Sequence, residues 1–252
     1  MNIETYGSGE RLMHAARLSS SLCAKHLVLL PVPTTRDGIH VTGTDISLTD
    51  VLSNVASEST VFGYAVPTFF KDKIEEVGAK VIDLAEDEDF LRENAILTAI
   101  GTLGYLLTSS KRAIKGLHVG IVGYGRIGSS LTDLLLFFGA RVRVYTSKML
   151  TRVELGESGV ESRLSDELYS GRGDIEELDV LINTAPRDMR TAFSDGKIPF
   201  GKRVLELASG KNFEGIGGVE YLPGIPEKYY PESAGDVYYS AILKHVERSD
   251  IK

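Results

Sequence analysis

The chain has 252 residues, 42% hydrophobic and 25% charged, which is enough apolar sequence for one large α/β domain or two smaller ones. A net charge of −7 argues against a protein that holds nucleic acid through its phosphates without regard to sequence. Cys23 is the only cysteine, so an intramolecular disulfide and a multi-cysteine zinc site are both excluded.

The first five residues, Met1-Asn2-Ile3-Glu4-Thr5, are polar, and no apolar run reaches membrane-spanning length. A cytoplasmic protein without a signal peptide or a membrane partner is expected, and no metal site is read. A helical pattern follows through Met13, Ala16, Leu18 and Leu22, with Cys23 as a small core residue.

Leu27-Val28-Leu29-Leu30 reads as a buried strand that runs into Pro31-Val32-Pro33. Thr34, Thr35, Arg36, Asp37 and Gly38 form the loop beyond it. Loops at the carboxyl ends of parallel strands carry ligands, so Pro33 and Thr34 are candidate substrate contacts, with a plain exposed turn as the alternative. Val41 is expected to start a short edge strand, and Ser47 with Asp50 to cap a helix. Val61-Phe62-Gly63-Tyr64-Ala65 is a strand ended by Pro67, with Gly63 a further substrate candidate. A helix through Phe69, Ile74 and Val77 and a strand over Lys80–Leu84 complete a parallel α/β domain over residues 1–93.

Glu86-Asp87-Glu88-Asp89 is read as a solvated helix start. The segment from Asn94 to Leu107 is apolar nearly all round, with Gly101, Thr102 and Gly104 permitting close packing. It predicts a buried connecting helix and linker over 94–116, with Thr98 a substrate candidate.

Val119-Gly120-Ile121-Val122 then meets Gly123-Tyr124-Gly125-Arg126-Ile127-Gly128. A strand, a G-x-G-x-x-G turn and a helix start are how a dinucleotide pyrophosphate is delivered to a helix N-terminus. The following helix shows Ile127, Leu131, Leu134, Leu135 and Phe138 on one face, and Gly139 ends it. Further strands are read at 141–145, 179–183, 203–207 and 218–222, with a helix near 149–155. Only Lys211 to Gly217 connect the last two, too few for a crossover helix. The Rossmann domain spans 117–232, and a C-terminal helix fills 233–252, through Val237, Ala241, Ile242 and Val246.

An NAD site usually carries an acidic residue about 20 residues past the glycines. Tyr145-Thr146-Ser147-Lys148 stands there instead, with no carboxylate to repel a 2′-phosphate. The expected cofactor is NADP, held by residues 123–128 and 145–148 together with Thr184, Ala185, Pro186, Ala208 and Ser209. Lys148 is otherwise a solvent-facing lysine. Arg126 has either phosphate group within its reach.

The chain resembles the A-subunit family of dipicolinate synthase. The resemblance rests on Asn94…Thr98-Ala99…Gly101-Thr102, the glycine loop, Ile182-Asn183-Thr184-Ala185-Pro186, Leu205-Glu206-Leu207-Ala208-Ser209, Pro223-Gly224-Ile225-Pro226 and Ser233-Ala234-Gly235. It implies an NADP-linked dehydrogenation that makes dipicolinate, in spore formation, from a cyclic dicarboxylate of the lysine pathway. It also implies a flavoprotein-like second subunit. Leu97 and Ile100 stand where the family's N-x-x-P-T-A-E-G has proline and glutamate, and no counterpart of the family's first strand is read before Leu27. The alternatives are an inactive NADP-binding regulatory or partner subunit, or a dehydrogenase of another small carboxylate. A homo-oligomer is expected.

Asn183, Ser209 and Arg187 are the catalytic candidates. Asn183 and Ser209 either hydrogen-bond near the nicotinamide or satisfy turn backbone. Arg187, Lys211 and Arg36 are the cations available to a dicarboxylate, Arg187 foremost, with a surface role as its alternative. Glu206 either orients a neighbour or faces an exposed side. The 2-hydroxyacid dehydrogenases share the G-Y-G-R-I-G loop, but Ser209 stands where their catalytic arginine would, and no histidine occupies the matching late segment before the final helix.

Overall fold

Most strands here are short apolar runs closed by glycine, proline or a polar pair, and most hand over to a helix, so neighbouring strands run parallel. The computed structural model describes residues 2–22, 26–171, 174–193 and 196–247; Cys23, expected in the core, lies outside them. The chain divides into two units, Met1–Leu97 with Pro226–Lys252, and Thr98–Ile225.

The first unit opens with β1 (Asn2–Thr5), α1 (Glu10–Ser19), β2 (His26–Leu29), α2 (Leu48–Asn54), β3 (Thr60–Gly63), α3 (Thr68–Glu76), β4 (Lys80–Asp83) and the start of α4 (Glu88–Ser109). Its sheet is parallel in the order β1-β2-β3-β4. Side chains alternate along β2 and on into Leu30. Leu27 and Leu29 join Leu12, Phe62 and Phe90 in one core cluster, while Val28 and Leu30 join Val51, Phe70 and Ile74 in another.

Several expectations are corrected. Asn2–Thr5 is a strand paired with β2, where the sequence read as a polar start with Ile3 its one apolar residue, because an edge strand needs little apolar character. Val41 forms an isolated antiparallel bridge to Thr35 rather than a strand. Phe70 and Ile74 bury α3, while Phe69 and Val77 are exposed. Ser47 caps α2 as expected, its Oγ accepting from the Asp50 N–H at 3.0 Å. In the acidic run Asp87 is buried, not solvated.

The second unit carries the later part of α4, then β5 (His118–Val122), α5 (Arg126–Phe137), β6 (Arg141–Thr146), α6 (Met149–Glu157), β7 (Glu161–Leu164), α7 (Ser165–Tyr169), β8 (Val180–Asn183), β9 (Arg203–Glu206) and β10 (Val219–Tyr221). The parallel order β10-β9-β8-β5-β6-β7 is that of a doubly wound sheet, with the switch point between β5 and β8. Turns alone join β9 to β10. Tyr145, Leu168, Leu181, Val204 and Phe213 are in its core. On α5, Leu131 and Leu135 are buried and Phe138, expected on the same face, is exposed at its end. Strand β7 and helix α7 escaped the pattern because Glu161–Leu164 has almost no apolar alternation.

The chain then returns through α8 (Ile225–Tyr229) and α9 (Pro231–Glu247). Within the first unit Tyr238 on α9 is fully buried and donates its hydroxyl to the Leu30 carbonyl at 2.9 Å.

Candidate dinucleotide site

The loop between β5 and α5 is built by glycines, two of which, Gly123 and Gly128, have no room or backbone freedom for a side chain. Gly123 has φ +93, a left-handed backbone, and its N–H donates to the Tyr145 carbonyl at 2.8 Å. A Cβ on Gly128 would overlap the Gly123 carbonyl oxygen, so α5 lies directly against the loop. A Cβ on Gly125 would meet nothing within 4 Å, which leaves open space at the helix N-terminus. Gly125 is the N-cap residue and has no side chain to satisfy the first N–H groups of α5. Those donors and the helix dipole suit the pyrophosphate of a dinucleotide. The residues present fit that group.

The loop after β8 closes on the same turn. Thr184 donates its hydroxyl to the Val122 carbonyl at 2.9 Å, and Thr184 and Ala185 pack where a Gly123 side chain would stand. Pro186 beyond them is exposed.

At the end of β6 the four expected residues separate by exposure. The Tyr145 ring is fully buried in the core. Thr146 is buried, and its Oγ1 accepts the Lys148 N–H at 3.2 Å. Ser147 and Lys148 are exposed, as is Arg126, and Tyr124 is half-buried.

Asn183 and Glu206 are register partners at the carboxyl ends of β8 and β9. Glu206 is buried, which settles its alternatives: its carboxylate accepts from Asn183 Nδ2 at 3.1 and 3.0 Å and from the Ala208 N–H at 2.7 Å. Burial pushes the Glu206 carboxyl up, against the pull of its Asn183, Ala208 and Asn212 donors. Asn183 is itself held to the Ala185 carbonyl at 2.9 Å and the Ala185 N–H at 3.2 Å. Nothing in the sequence reported this pairing, since a carboxylate in an apolar strand reads equally as exposed.

Ser209 is exposed, and its carbonyl accepts from Asn212 Nδ2 at 3.2 Å. Arg187 is exposed, with its guanidinium 5.0 Å over the Tyr169 ring, beside Asp166 and Asp188. Lys211 is exposed and 3.5 Å from Glu214. In the first unit Thr34 is fully buried, its Oγ1 accepting the Tyr64 N–H at 2.8 Å, and a Cβ on Gly63 would stand 2.6 Å from that oxygen. Pro33 is half-buried and Arg36 exposed. Thr98 is buried on α4, its carbonyl accepting the Thr102 hydroxyl at 2.8 Å.

The A-subunit of dipicolinate synthase from Bacillus subtilis (strain 168) is 24% identical over 202 residues, 77% of this chain and 67% of that one. The fold is also that of the crystal structure of dipicolinate synthase, A chain, from Bacillus subtilis, with a TM-score of 0.79 at 21% identity, over 99% of this chain and 97% of the other. The chain is similar to the dipicolinate synthase A-subunits in sequence and in fold. The corresponding structure from Bacillus halodurans superposes with a TM-score of 0.77 at 20% identity, over 97% of each chain. Residues 104–193 match the D-isomer specific 2-hydroxyacid dehydrogenase, NAD binding domain. That stretch contains the glycine turn and the loop after β8, and it marks an oxidoreductase with a nicotinamide cofactor. The match stops before Ser209. No described helix is long and apolar enough to cross a membrane.

Proposed function

We propose that the chain is an NADP-dependent oxidoreductase that dehydrogenates a cyclic dicarboxylate of the lysine pathway to dipicolinate. The observation that carries the cofactor preference is the end of β6, where exposed Ser147 and Lys148 follow Thr146 and no carboxylate occurs from Tyr145 to Lys148. A ribose 2′-phosphate is accommodated by a cation and hydroxyls and repelled by the acid that NAD sites usually carry there. The glycine turn supports the pyrophosphate, and the loops 184–186 and 208–209 support the nicotinamide end.

When bound, the dinucleotide supplies the hydride acceptor. Making the ring aromatic removes a hydride and a proton together. In this reading Arg187 pairs a substrate carboxylate, Ser209 hydrogen-bonds beside the reacting ring, and Asn183 fixes the loop that Ala185 begins. Lys211 and Arg36 are the reserve cations, and Pro33, Thr34, Gly63 and Thr98 shape the substrate side. Residues 1–93 form the substrate domain and 117–232 the cofactor domain. The reading includes a flavoprotein-like second subunit, a homo-oligomer and a role in sporulation in the cytoplasm.

Ile100, exposed on α4 in place of the family's glutamate, favours a second reading, an NADP-binding partner subunit without catalysis. The experiment that separates the two is turnover of NADP with the dihydrodipicolinate precursor, with and without the flavoprotein subunit. Reduction of NADP supports the dehydrogenase. Intact NADP binding with no turnover in either mixture supports the partner subunit, and turnover only with other acids in a substrate panel redirects the substrate assignment.

A further inference from the structure

Glu206 is a buried carboxylate side chain with no cationic partner among the described residues. Its carboxylate takes neutral donors, Asn183 Nδ2 and the Ala208 N–H, and among the described residues no lysine, arginine or histidine reaches it within ion-pair distance. A buried charge held by dipoles alone keeps much of its field, because little solvent screens it and no counter-ion cancels it. A buried arginine elsewhere in the same sheet shows the contrast: Arg143 on β6 is neutralised by Glu161 and Glu177.

The position of this charge is specific. In a doubly wound sheet a dinucleotide binds outside the carboxyl ends of the strands across the switch point, here between β5 and β8, so one half would face the β6 side and the other the side of β8 and β9. Asn183 and Glu206 end β8 and β9, and through Ala185 and Ala208 they anchor the two loops that follow. An oxidised nicotinamide ring carries a positive charge, and the reduced ring carries none. A fixed anion beneath those loops therefore distinguishes the two forms by one unit of charge.

We propose that Glu206 is the residue that selects the redox state of the cofactor, favouring the oxidised over the reduced dinucleotide through its uncompensated buried charge. The inference rests on the dinucleotide reading of this unit and adds a direction to it. In dehydrogenation the reduced cofactor is the product, and a site that holds it less tightly releases it.

The test is the ratio of the dissociation constants of NADP+ and NADPH, measured by titration on the same preparation, for the natural chain, Glu206→Gln and Glu206→Asp. Glu206→Gln is expected to weaken NADP+ about fivefold relative to NADPH. Glu206→Asp, which keeps the charge, is expected to hold the natural ratio. Should Glu206→Gln not fold, the double variant Glu206→Leu/Asn183→Leu removes acceptor and donor together, and the same relative loss is expected of it. A variant without the charge that weakens both forms by one factor, or leaves the ratio unchanged, overturns the inference while the dinucleotide reading stands. A natural chain that binds neither form overturns both.

Discussion

The carbonyl oxygen of Gly123 fills the space that a side chain on Gly128 would need. The strand β5 and the helix α5 therefore meet at backbone distance, and the open N-terminus beside Gly125 depends on that contact. Gly128→Ala cannot be absorbed by a rotamer change, because the obstacle is backbone. The expected result is a loss of about 1–3 kcal/mol in urea unfolding and at least a tenfold loss of NADP+ affinity by titration.

Ser147 and Lys148 are expected to carry the discrimination between phosphorylated and unphosphorylated cofactor. Lys148→Ala should weaken NADP+ about tenfold, the value of one charge-assisted contact to phosphate, and leave NAD+ within about twofold. A parallel loss for both cofactors would place Lys148 at the pyrophosphate instead. The check is a pair of titrations on one preparation.

Asp87 gives the first unit a pH dependence at the acid end. Burial raises its carboxyl, but Lys244 at 3.0 Å, the Phe90 N–H and His245 at 2.9 Å outweigh burial and hold it at about 2. Its folded value lies below that of a free carboxyl, so the contribution is fully present above about pH 4. It is lost as the pH falls towards 2. Asp87→Asn should cost about 1–3 kcal/mol at neutral pH, and its stability should converge with that of the natural chain in acid. Denaturation midpoints across pH 2–7 would show the convergence.

Tyr238 offers a smaller, cleaner number. Its hydroxyl is buried and donates to the Leu30 carbonyl, with the Phe62 carbonyl 3.1 Å away. Tyr238→Phe keeps the ring among Leu12, Phe62 and Phe90 and removes only the donor. The expected cost is about 1–2 kcal/mol, with an unchanged denaturant slope, since the buried surface is the same.

Much of this fold is legible in the chain because its strong strands are strongly written. Leu27–Leu29, Val119–Val122 and Val180–Ile182 are continuous apolar runs, as strands covered on both faces must be. Ser47 and Asp50 announce a capping box, and the three glycines announce the turn they make. Edge strands are poorly written, which is why Asn2–Thr5 and Glu161–Leu164 carry no clear strand pattern. Burial of single polar residues is not written at all. Tyr145 lies within a strand read from the sequence, yet only tertiary packing turns its ring into the core. Glu206 and Asn183, 23 residues apart, are joined by strand register alone.

The central claim is a nicotinamide site that selects the phosphorylated cofactor, and direct titration of the purified chain with NADP+ and NAD+ under one buffer tests it most directly. The account predicts tighter binding of NADP+, by about tenfold or more. Equal affinity, or tighter binding of NAD+, would contradict it.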